Sequence, residues 1–428
     1  MKSFVVKKSS PKGTIAVPPS KSHTLRSLVF ALMAEGTSCI TNYLNSPDTI
    51  AMIRAIEALG AKVIKQENSL QIVGTSGKIH PAEDVIDSGN SGQVLRFIGA
   101  LGALSDTYTV ITGDHSIRHN RPVKPMLTAL QQLGAFAVSA KGNDKAPIIV
   151  KGPMKPGIAR LSGEDSQPVS GILIAASFLK GKTELHVTNP GEKPWIDVTL
   201  HWLDRFGIKY SHTNYEHYTL EGHASYKGFT LAIPGDFSSA AYPIAAALVT
   251  DTEITLQNID MSDVQGDKKL IDVLIQMGAK IEVSDKERTL TVKKGSLLKG
   301  MTIDINDFID AITILAVIGC YAEGETTIIN ASIARNKESD RIHAITTELK
   351  KMGADIEERP DGLIVRGSPL TGSLQNSYKD HRIAMSLAIA GLGADGDTVI
   401  EDVECVNKTY PTFVTDFQNL GCYIEVKT

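Results

Sequence analysis

A helical spacing of apolar residues follows a pair of prolines near the start of the chain. The apolar positions after Pro18-Pro19 predict one buried helix face, formed by Leu25, Leu28, Val29, Leu32 and Met33. The prolines disfavour helix before them, so the helix is expected to begin at Ser20–Ser22. A helix N-terminus attracts anions through its free N–H groups and partial positive charge. With Lys21 and Arg26 added, this stretch is a candidate clamp for phosphate or carboxylate, and an ordinary capped helix with solvated cations is the alternative.

One pattern recurs along the whole chain: a helix that ends in an apolar residue, then a glycine, then a strand. The six glycines lie 68 to 75 residues apart, at Gly60, Gly134, Gly207, Gly278, Gly353 and Gly421. Glycine is expected just past a helix end because that position often needs a positive φ. Each unit contains two strand–helix pairs followed by two more strands. The sequence therefore predicts an α/β protein built from six βαβαββ repeats.

The two ends of the chain complement each other. The last repeat stops at residues 423–426 without its hairpin partner, and residues 4–6 have the character to supply it. We therefore predict that the first strands pack with the C-terminal half, so that the chain crosses twice between two domains. Two sequential domains with a frayed N-terminus are the alternative. A chain of 428 residues is too long for a single compact core in either case.

This interpretation gives definite boundaries, with three repeats in each domain. The predicted segments are an N-terminal domain at 18–235, a second domain at 1–17 plus 236–428, and hinges at 17–20 and 233–236.

Composition narrows the class of partner. The formal net charge is −4 and no long basic run is present, which argues against nucleic-acid or membrane-surface binding and leaves room for a local basic pocket. The four cysteines lie too far apart in sequence to indicate a metal or redox pair. No signal peptide or spanning helix is visible, so the cytoplasm is the expected location. A monomer that binds small anions, with no metal, fits these observations.

Residues that break the helical pattern concentrate at helix starts. Helices repeated in one orientation place their N-termini at one end of a domain, and two facing domains would place twelve of them around one cleft. The cations expected to line that cleft are Lys21, Arg26, Arg121, Lys337, Arg341, Arg382 and Lys408.

Several acidic residues at these starts have simpler interpretations. Asp48, Asp236 and Asp267 are expected to be N-caps, and Asp340 is expected to pair with a neighbouring cation. His381, which lies between an aspartate and an arginine, is left open between a structural and a functional role.

Taken together, these motifs resemble those of the 5-enolpyruvylshikimate-3-phosphate (EPSP) synthase family over essentially the whole chain. The segments that carry the resemblance are Pro-Pro-Ser-Lys-Ser at 18–22, Gly-Asn-Ser-Gly at 89–92 with Arg96, Arg121-Pro122, 234–240, Asp310-Ala311, Lys-Glu-Ser-Asp-Arg at 337–341, Asp-His-Arg-Ile-Ala-Met at 380–385 and Asn-Lys-Thr at 407–409. The resemblance implies a two-domain inverse α/β barrel. It also implies transfer of the enolpyruvyl group of phosphoenolpyruvate to the 5-hydroxyl of shikimate 3-phosphate, with no cofactor.

The resemblance also assigns roles residue by residue. Asp310 would be the base that takes the hydroxyl proton, Glu338 the leading candidate to protonate the methylene carbon, and Lys21 a catalytic contact to both substrates. The residues expected to bind shikimate 3-phosphate are Lys21, Ser22, Arg26, Ser166, Gln167, Asp310 and Lys337. Those expected to bind phosphoenolpyruvate are Lys21, Gly92, Arg121, Gln167, Arg341, Arg382 and Lys408.

Some positions depart from the family pattern. Asp165, Glu192 and Trp195 replace smaller or hydroxyl-bearing residues expected beside the acceptor's phosphate. Gln93 and Phe97 alter the helix that follows Gly92, although the retained glycine leaves room for glyphosate beside phosphoenolpyruvate. The alternative function is enolpyruvyl transfer to UDP-N-acetylglucosamine. That family normally carries a cysteine on a mobile loop, and the four cysteines suit this role poorly.

Overall fold

The computed structural model describes residues 2–428 and divides into two compact units. One unit, here the N-terminal domain, is Pro19–Ile233. The other, here the C-terminal domain, joins the segment up to Pro18 to Pro234–Thr428. The first two strands belong to the C-terminal domain and are β1 (Ser3–Lys7) and β2 (Gly13–Ala16).

The N-terminal domain alternates helices with short strands. Its helices are α1 (Lys21–Met33), α2 (Pro47–Ala58), α3 (Gly92–Gly102), α4 (His115–His119), α5 (Lys124–Gln132), α6 (Ser166–Ala176) and α7 (Lys193–Arg205). Its strands are β3 (Thr37–Thr41), β4 (Lys62–Lys65), β5 (Ser69–Val73), β6 (Ile86–Asp87), β7 (Thr109–Thr112), β8 (Phe136–Ser139), β9 (Ile148–Lys151), β10 (Ile158–Ser162), β11 (Thr183–Thr188), β12 (Tyr210–Thr213), β13 (His217–Leu220) and β14 (Thr230–Ala232).

The C-terminal domain follows the same plan, with four additional 3-10 turns. Its helices are α8 (Phe237–Thr250), α9 (Lys269–Gln276), α10 (Ile312–Cys320), α11 (Arg341–Lys351), α12 (His381–Gly393) and α13 (Phe413–Asn419). Its further strands are β15 (Ile254–Gln257), β16 (Ile281–Ser284), β17 (Thr289–Val292), β18 (Thr302–Asp304), β19 (Glu325–Ile329), β20 (Asp355–Arg359), β21 (Gly362–Arg366), β22 (Leu374–Asn376), β23 (Thr398–Glu401) and β24 (Tyr423–Lys427). The 3-10 turns are Gly266–Lys268, Asn306–Ala311, Ser332–Asn336 and Val403–Lys408.

Six four-stranded sheets reflect the six repeats. In the N-terminal domain the strand orders are β14-β3-β5-β4, β6-β7-β9-β8 and β10-β11-β13-β12. In the C-terminal domain they are β16-β17-β15-β2, β18-β19-β21-β20 and β22-β23-β1-β24. Each sheet has one parallel pair and two antiparallel pairs, as in the sheet of β10, β11, β13 and β12. In four of the sheets a helix connects the strands of the parallel pair, which are β6 and β7, β10 and β11, β18 and β19, and β22 and β23.

The first strand completes the last repeat, as its sequence predicted. β1 lies between β23 and β24 and is antiparallel to both, with Phe4 opposite Ile400 and Val426. Val6 of this strand is fully buried.

Two further strands, β2 and β14, pair with a repeat other than the one that they adjoin in sequence. β2 precedes α1 in sequence but pairs in parallel with β15 of the C-terminal domain. The corresponding position beside β3 is taken by β14, from the end of the N-terminal domain.

The first helix of each repeat lies at the centre of its domain. Every residue of α10 is buried, and α8 and α12 each leave a single residue less than fully buried. A helix that is apolar on all sides has to be enclosed by other elements. The first helices α1, α3 and α6 are enclosed in the same way in the N-terminal domain.

The helix starts differ from the prediction in detail. The N-cap of α2 is Ser46, whose hydroxyl accepts from the N–H of Thr49, so Asp48 lies inside the first turn. Asp267 lies in a 3-10 turn and makes no capping bond. Asp236 is the N-cap of α8, as predicted. Capping depends on where the backbone leaves the helix, and residue type alone did not fix that point.

Two predicted helix starts are preceded by 3-10 turns. Asp310 lies in the turn Asn306–Ala311, and α10 begins only at Ile312. Lys408 ends the turn Val403–Lys408, and α13 begins five residues later, at Phe413. Among residues 2–428, no helix combines the length and apolar character needed to cross a bilayer.

Candidate functional site

The start of α1 places the first predicted residues at a capped helix end. The hydroxyl of Ser20 accepts from the N–H of His23 at 3.4 Å, which caps the helix. Lys21 and Ser22 are the first two helical residues. Nζ of Lys21 lies 3.7 Å from a carboxylate oxygen of Asp48 in α2. The ammonium is therefore held at the helix end by an acidic partner in the next helix.

Arg26 is buried inside α1 and joins it to α7. Its Nε donates to the hydroxyl of Thr199 at 2.9 Å, and its terminal nitrogens donate to the carbonyls of Ser22 and Trp195 at 3.3 and 3.1 Å. The guanidinium also lies over the ring of Phe97, 5.2 Å from its centroid. Burial lowers the pKa of Arg26 to about 9.

Gly92 begins α3 at a point where little room remains. A Cβ on this residue would lie 2.8 Å from a terminal nitrogen of Arg96 and 3.0 Å from the side-chain oxygen of Gln167. Arg96 donates to that oxygen at 3.1 Å and to the carbonyl of Pro122 at 3.0 Å. It also lies 2.8 Å from a carboxylate oxygen of Asp165. Arg96 thus ties α3 to α6.

The sequence interpretation did not assign Arg96 a site role, although it belongs to a quoted motif. Its position one helical turn after Gly92 was the available signal, since residues i and i+4 share a helix face. Arg121 immediately precedes Pro122, whose carbonyl Arg96 contacts, and only 5% of Arg121 is exposed. The backbone at 121–122 therefore lies beside the N-terminal turn of α3.

Two carboxylates occupy the start of α6. Asp165 is its N-cap and accepts from the N–H of Gln167 at 3.0 Å. Glu192, 2% exposed, accepts from both the N–H and the hydroxyl of Ser166, at 3.2 and 3.3 Å. Glu192 adopts a left-handed conformation with φ 47° at the start of α7. The amide that a helix N-terminus would offer to an anion is thus bonded to the protein's own carboxylate.

These contacts link four helix starts into one cluster within the N-terminal domain. Arg26 joins α1 to α7, Glu192 joins α7 to α6, and Arg96 joins α6 to α3. The link from α3 back to α1 is made by the side-chain nitrogen of Gln93, 3.5 Å from the hydroxyl of Ser22. We call this arrangement the N-terminal cluster. It brings together the predicted residues Lys21, Ser22, Arg26, Gly92, Ser166 and Gln167.

The C-terminal domain contains a denser ionic network centred on Arg341. Its guanidinium donates to Asp310 at 2.8 Å, to Glu338 at 2.7 Å and to Asp380 at 2.8 and 3.3 Å. Burial alone would lower the pKa of Arg341, but the three carboxylates raise it well above its ordinary value. This arginine is therefore a permanent positive centre.

Asp310 bridges two arginines. One oxygen accepts from Arg341, and the other accepts from Arg382 at 2.6 Å. Burial opposes the charge of Arg382, yet Asp310 raises the pKa of that arginine above its ordinary value. Glu338 makes the analogous bridge, from Arg341 to Nζ of Lys408 at 2.5 Å. Each of these two carboxylates thus shares a pair of cations.

Asp380 connects the network to the start of α12. It caps α12 by accepting from the N–H of Arg382 at 2.9 Å, and it accepts from the hydroxyl of Ser339 at 3.0 Å. His381, 1% exposed, lies with Nδ1 3.7 Å from Asp380. Lys337 directly precedes Glu338 on the loop before α11 and is half-buried. The C-terminal network is therefore Asp310, Glu338, Arg341, Asp380, Arg382 and Lys408, with Lys337 adjoining it.

Asp340 lies beside this network but belongs to a separate pair. It caps α11 by accepting from the N–H of His343 and is 2.8 Å from Arg335, as its expected pairing with a cation required.

Asp267 is a buried carboxylate that the sequence interpretation did not place at the site. It accepts from the hydroxyl of Ser238, and within residues 2–428 its other oxygen has no hydrogen-bond partner. Burial, together with the negative charge of Asp310, raises the pKa of Asp267 to about 7. It therefore belongs electrostatically to the C-terminal network.

The cysteines offer no reactive thiol of the kind that the alternative function would need. Burial raises the pKa values of Cys320, Cys405 and Cys422 to about 12. Cys39 lies in strand β3, paired with β5 and β14 on either side, and not on a loop.

Comparisons with known proteins agree with the motifs. The sequence model of the family described as EPSP synthase (3-phosphoshikimate 1-carboxyvinyltransferase) matches residues 5–417. A 3-phosphoshikimate 1-carboxyvinyltransferase of Acetivibrio thermocellus is 45% identical over 420 residues, covering 98% of each chain. One of Chlamydia caviae is 42% identical, covering 99% of this chain and 95% of the relative. An EPSP synthase structure from Acinetobacter baumannii superposes with a TM-score of 0.84 at 28% identity, covering all of both chains. The predicted fold class is thereby confirmed.

The raised pKa of Asp267 makes a prediction about stability. Between pH 4 and 7 the folded chain holds a proton that the unfolded chain has lost, so this group lowers the stability of the fold as the pH rises. One such group changes the free energy of unfolding by at most about 1.4 kcal/mol per pH unit. We expect Asp267→Asn to remove this contribution, so that its stability relative to the parent increases from pH 4 to pH 7. Urea unfolding at several pH values measures this difference in stability. The control is Asp272→Asn, at an exposed position of α9. A difference that does not change with pH would contradict the assignment.

Proposed function

We propose that this chain, which belongs to the EPSP synthase family, transfers the enolpyruvyl group of phosphoenolpyruvate to the 5-hydroxyl of shikimate 3-phosphate. The products are 5-enolpyruvylshikimate 3-phosphate and phosphate, and the reaction needs no cofactor. The chain is further proposed to act as a cytoplasmic monomer. The observation that carries the proposal is the C-terminal network, in which two carboxylates share three cations.

The N-terminal cluster is proposed to bind the acceptor. Lys21, Ser22 and Arg26 at α1, with Ser166 and Gln167 at α6, supply donors from two linked helix starts. Lys337 is also proposed to contact the acceptor. A helix N-terminus and cationic side chains together suit an acceptor that carries both carboxylate and phosphate.

Seven residues are proposed to bind phosphoenolpyruvate. Arg341, Arg382 and Lys408 of the C-terminal network would supply positive charge to its phosphate and carboxylate. Lys21, Gly92, Arg121 and Gln167 are the other proposed contacts.

Asp310 is proposed as the general base. Addition requires the acceptor's hydroxyl to lose a proton while its oxygen bonds to C2 of phosphoenolpyruvate. Asp310 accepts from two arginines, which favours its ionised, proton-accepting form. When substrate anions engage the same arginines, part of that stabilisation is withdrawn and the carboxylate becomes a stronger base.

Glu338 is proposed as the acid that protonates C3 of phosphoenolpyruvate. In the absence of substrate its two oxygens accept from Arg341 and Lys408, which favours the ionised form. Binding of the phosphate and carboxylate of phosphoenolpyruvate to these cations would reduce that effect and make proton uptake by Glu338 easier. Substrate binding would thereby prepare the acid, and the tetrahedral intermediate would keep both of its anionic groups clamped until phosphate leaves.

The first test is the choice of acceptor. We expect the purified chain to release phosphate from phosphoenolpyruvate when shikimate 3-phosphate is added, and not when UDP-N-acetylglucosamine is added. A colorimetric phosphate assay, with mass spectrometry of the organic product, measures both reactions. Phosphate release with UDP-N-acetylglucosamine alone would replace the proposed function with its alternative.

The second test isolates the base. We expect Asp310→Asn to lower kcat by about 10²–10⁴-fold, the usual contribution of general acid–base catalysis. Substrate binding should stay within about tenfold, because the amide oxygen can still accept from one of the two arginines, at about half the strength of a charged bond, although the amide nitrogen cannot accept from the other. Asp307→Asn, in the same 3-10 turn but paired with the exposed Lys269, is the control. Normal turnover by Asp310→Asn would show that another group is the base.

The third test concerns the carboxylate at the start of α6. Glu192 bonds to the amide and hydroxyl of Ser166, a residue proposed to contact the acceptor. A phosphate about 4 Å from this carboxylate would be repelled by a few kcal/mol at an effective dielectric constant of about 20. We expect Glu192→Gln to lower KM for shikimate 3-phosphate by about tenfold with kcat little changed, as measured by initial rates. The exposed neighbour Glu164 provides the control Glu164→Gln. An increase in KM would mean that Glu192 assists acceptor binding.

A further inference from the structure

Three side chains on the third sheet of the N-terminal domain form a cluster that the proposed reaction does not use. Glu184 and His186 lie on β11, and His217 begins β13. From their geometry we propose that Glu184, His186 and His217 bind a divalent transition-metal ion, with Zn²⁺ as the best match. This inference goes beyond the proposed function and does not depend on it.

The strand register brings the three residues together. His186 is directly opposite His217 in the antiparallel pair formed by β11 and β13. Glu184 precedes His186 by two residues, so both side chains lie on the same face of the sheet. The intervening Leu185 is fully buried on the other face, whereas all three members of the cluster are partly exposed. The cluster is thus on the solvent side of the sheet and within reach of an ion.

The distances are close to those of a metal site. One carboxylate oxygen, Oε2 of Glu184, lies 3.7 Å from Nε2 of His217 and 4.0 Å from Nε2 of His186. The candidate ligand atoms all lie within 4.8 Å of one another. Zinc bonds of about 2.0–2.1 Å in tetrahedral geometry separate neighbouring ligand atoms by about 3.4 Å. Shortening the two carboxylate–imidazole distances by about 0.3 and 0.6 Å, and the imidazole–imidazole distance by at most about 1.4 Å, would bring these oxygen and nitrogen atoms to bonding positions.

The surroundings of the cluster favour coordination over an internal hydrogen bond. Nε2 of His217 is buried and makes no hydrogen bond within residues 2–428. The other oxygen of Glu184 lies 2.9 Å from Nζ of Lys182, which fixes the carboxylate and leaves Oε2 directed at the imidazoles. A fixed outer partner of this kind is what orients a metal-binding carboxylate.

The donor set selects the class of metal. Two imidazoles and one carboxylate suit zinc and its neighbours, whereas calcium and magnesium prefer oxygen ligands alone. Three protein ligands leave the fourth tetrahedral position for water. Because the ligands come from two strands, a bound ion would cross-link β11 to β13.

The experiment is a titration of the full-length chain, freed of any affinity tag, with Zn²⁺. We expect one ion to bind per chain by calorimetry, and the unfolding temperature to rise as Zn²⁺ is added, since the ion binds the folded state. Co²⁺ should give the visible absorption of a four-coordinate site. His186→Ala and His217→Ala should each weaken binding by at least about tenfold, the smallest loss usual even for an outer partner of a metal site. Glu184→Gln should weaken it as well.

His212 provides a matched control, because it lies on the adjacent strand β12 and is exposed, but is not part of the cluster. His212→Ala should bind Zn²⁺ like the parent chain. The proposal is overturned if the parent chain binds no Zn²⁺ at 100-fold excess, or if both histidine variants of the cluster bind as tightly as the parent. Circular dichroism of the variants confirms that each one is folded.

Discussion

The balance of charge at buried helix ends governs both halves of this molecule. The central helices are buried on nearly all sides, so the partial charges at their N-termini and the cations beside them are largely removed from water. A buried charge without a partner lowers the stability of the fold by several kcal/mol, and here the protein's own carboxylates pair with the cations. Asp165 pairs with Arg96, and Asp310 and Glu338 pair with the cations of the C-terminal network. The protein's own carboxylates thus occupy the positions beside these cations.

This internal balance connects stability with catalysis. In the proposed mechanism, a substrate anion that enters the C-terminal network would take over cations that Asp310 and Glu338 hold, and these carboxylates would then be released for proton transfer. Asp380 has a different position, since it is fully buried and also caps α12. It would keep Arg341 in place while the other two carboxylates change partners. The residues that pair with one another in the free protein would then be the ones that respond to the substrate.

The sequence allowed the repeats to be predicted, because they depend on local rules, and most of the residues predicted for the site lie in the N-terminal cluster or the C-terminal network. Glycine after each helix marks a backbone requirement, and the completion of the last sheet by β1 followed from a missing strand. Features that depend on exact backbone geometry or on strand register were harder to predict. The capping role predicted for Asp48 was wrong because Ser46, two residues earlier, is the N-cap of α2. The histidines of the proposed metal site are 31 positions apart in sequence. Only the register of β11 with β13 brings them together, and no spacing along the chain reveals it.

The position of β1 has a consequence for how the chain is made. A ribosome releases β1 well before its two neighbours, because β23 emerges about 390 residues later and β24 later still. At roughly 5–20 residues per second, this strand waits on the order of 20 to 80 seconds with both of its edges unpaired. An exposed apolar strand can associate with other chains during such a delay. We therefore expect nascent molecules of this protein to need a chaperone at β1 until β23 and β24 have been made.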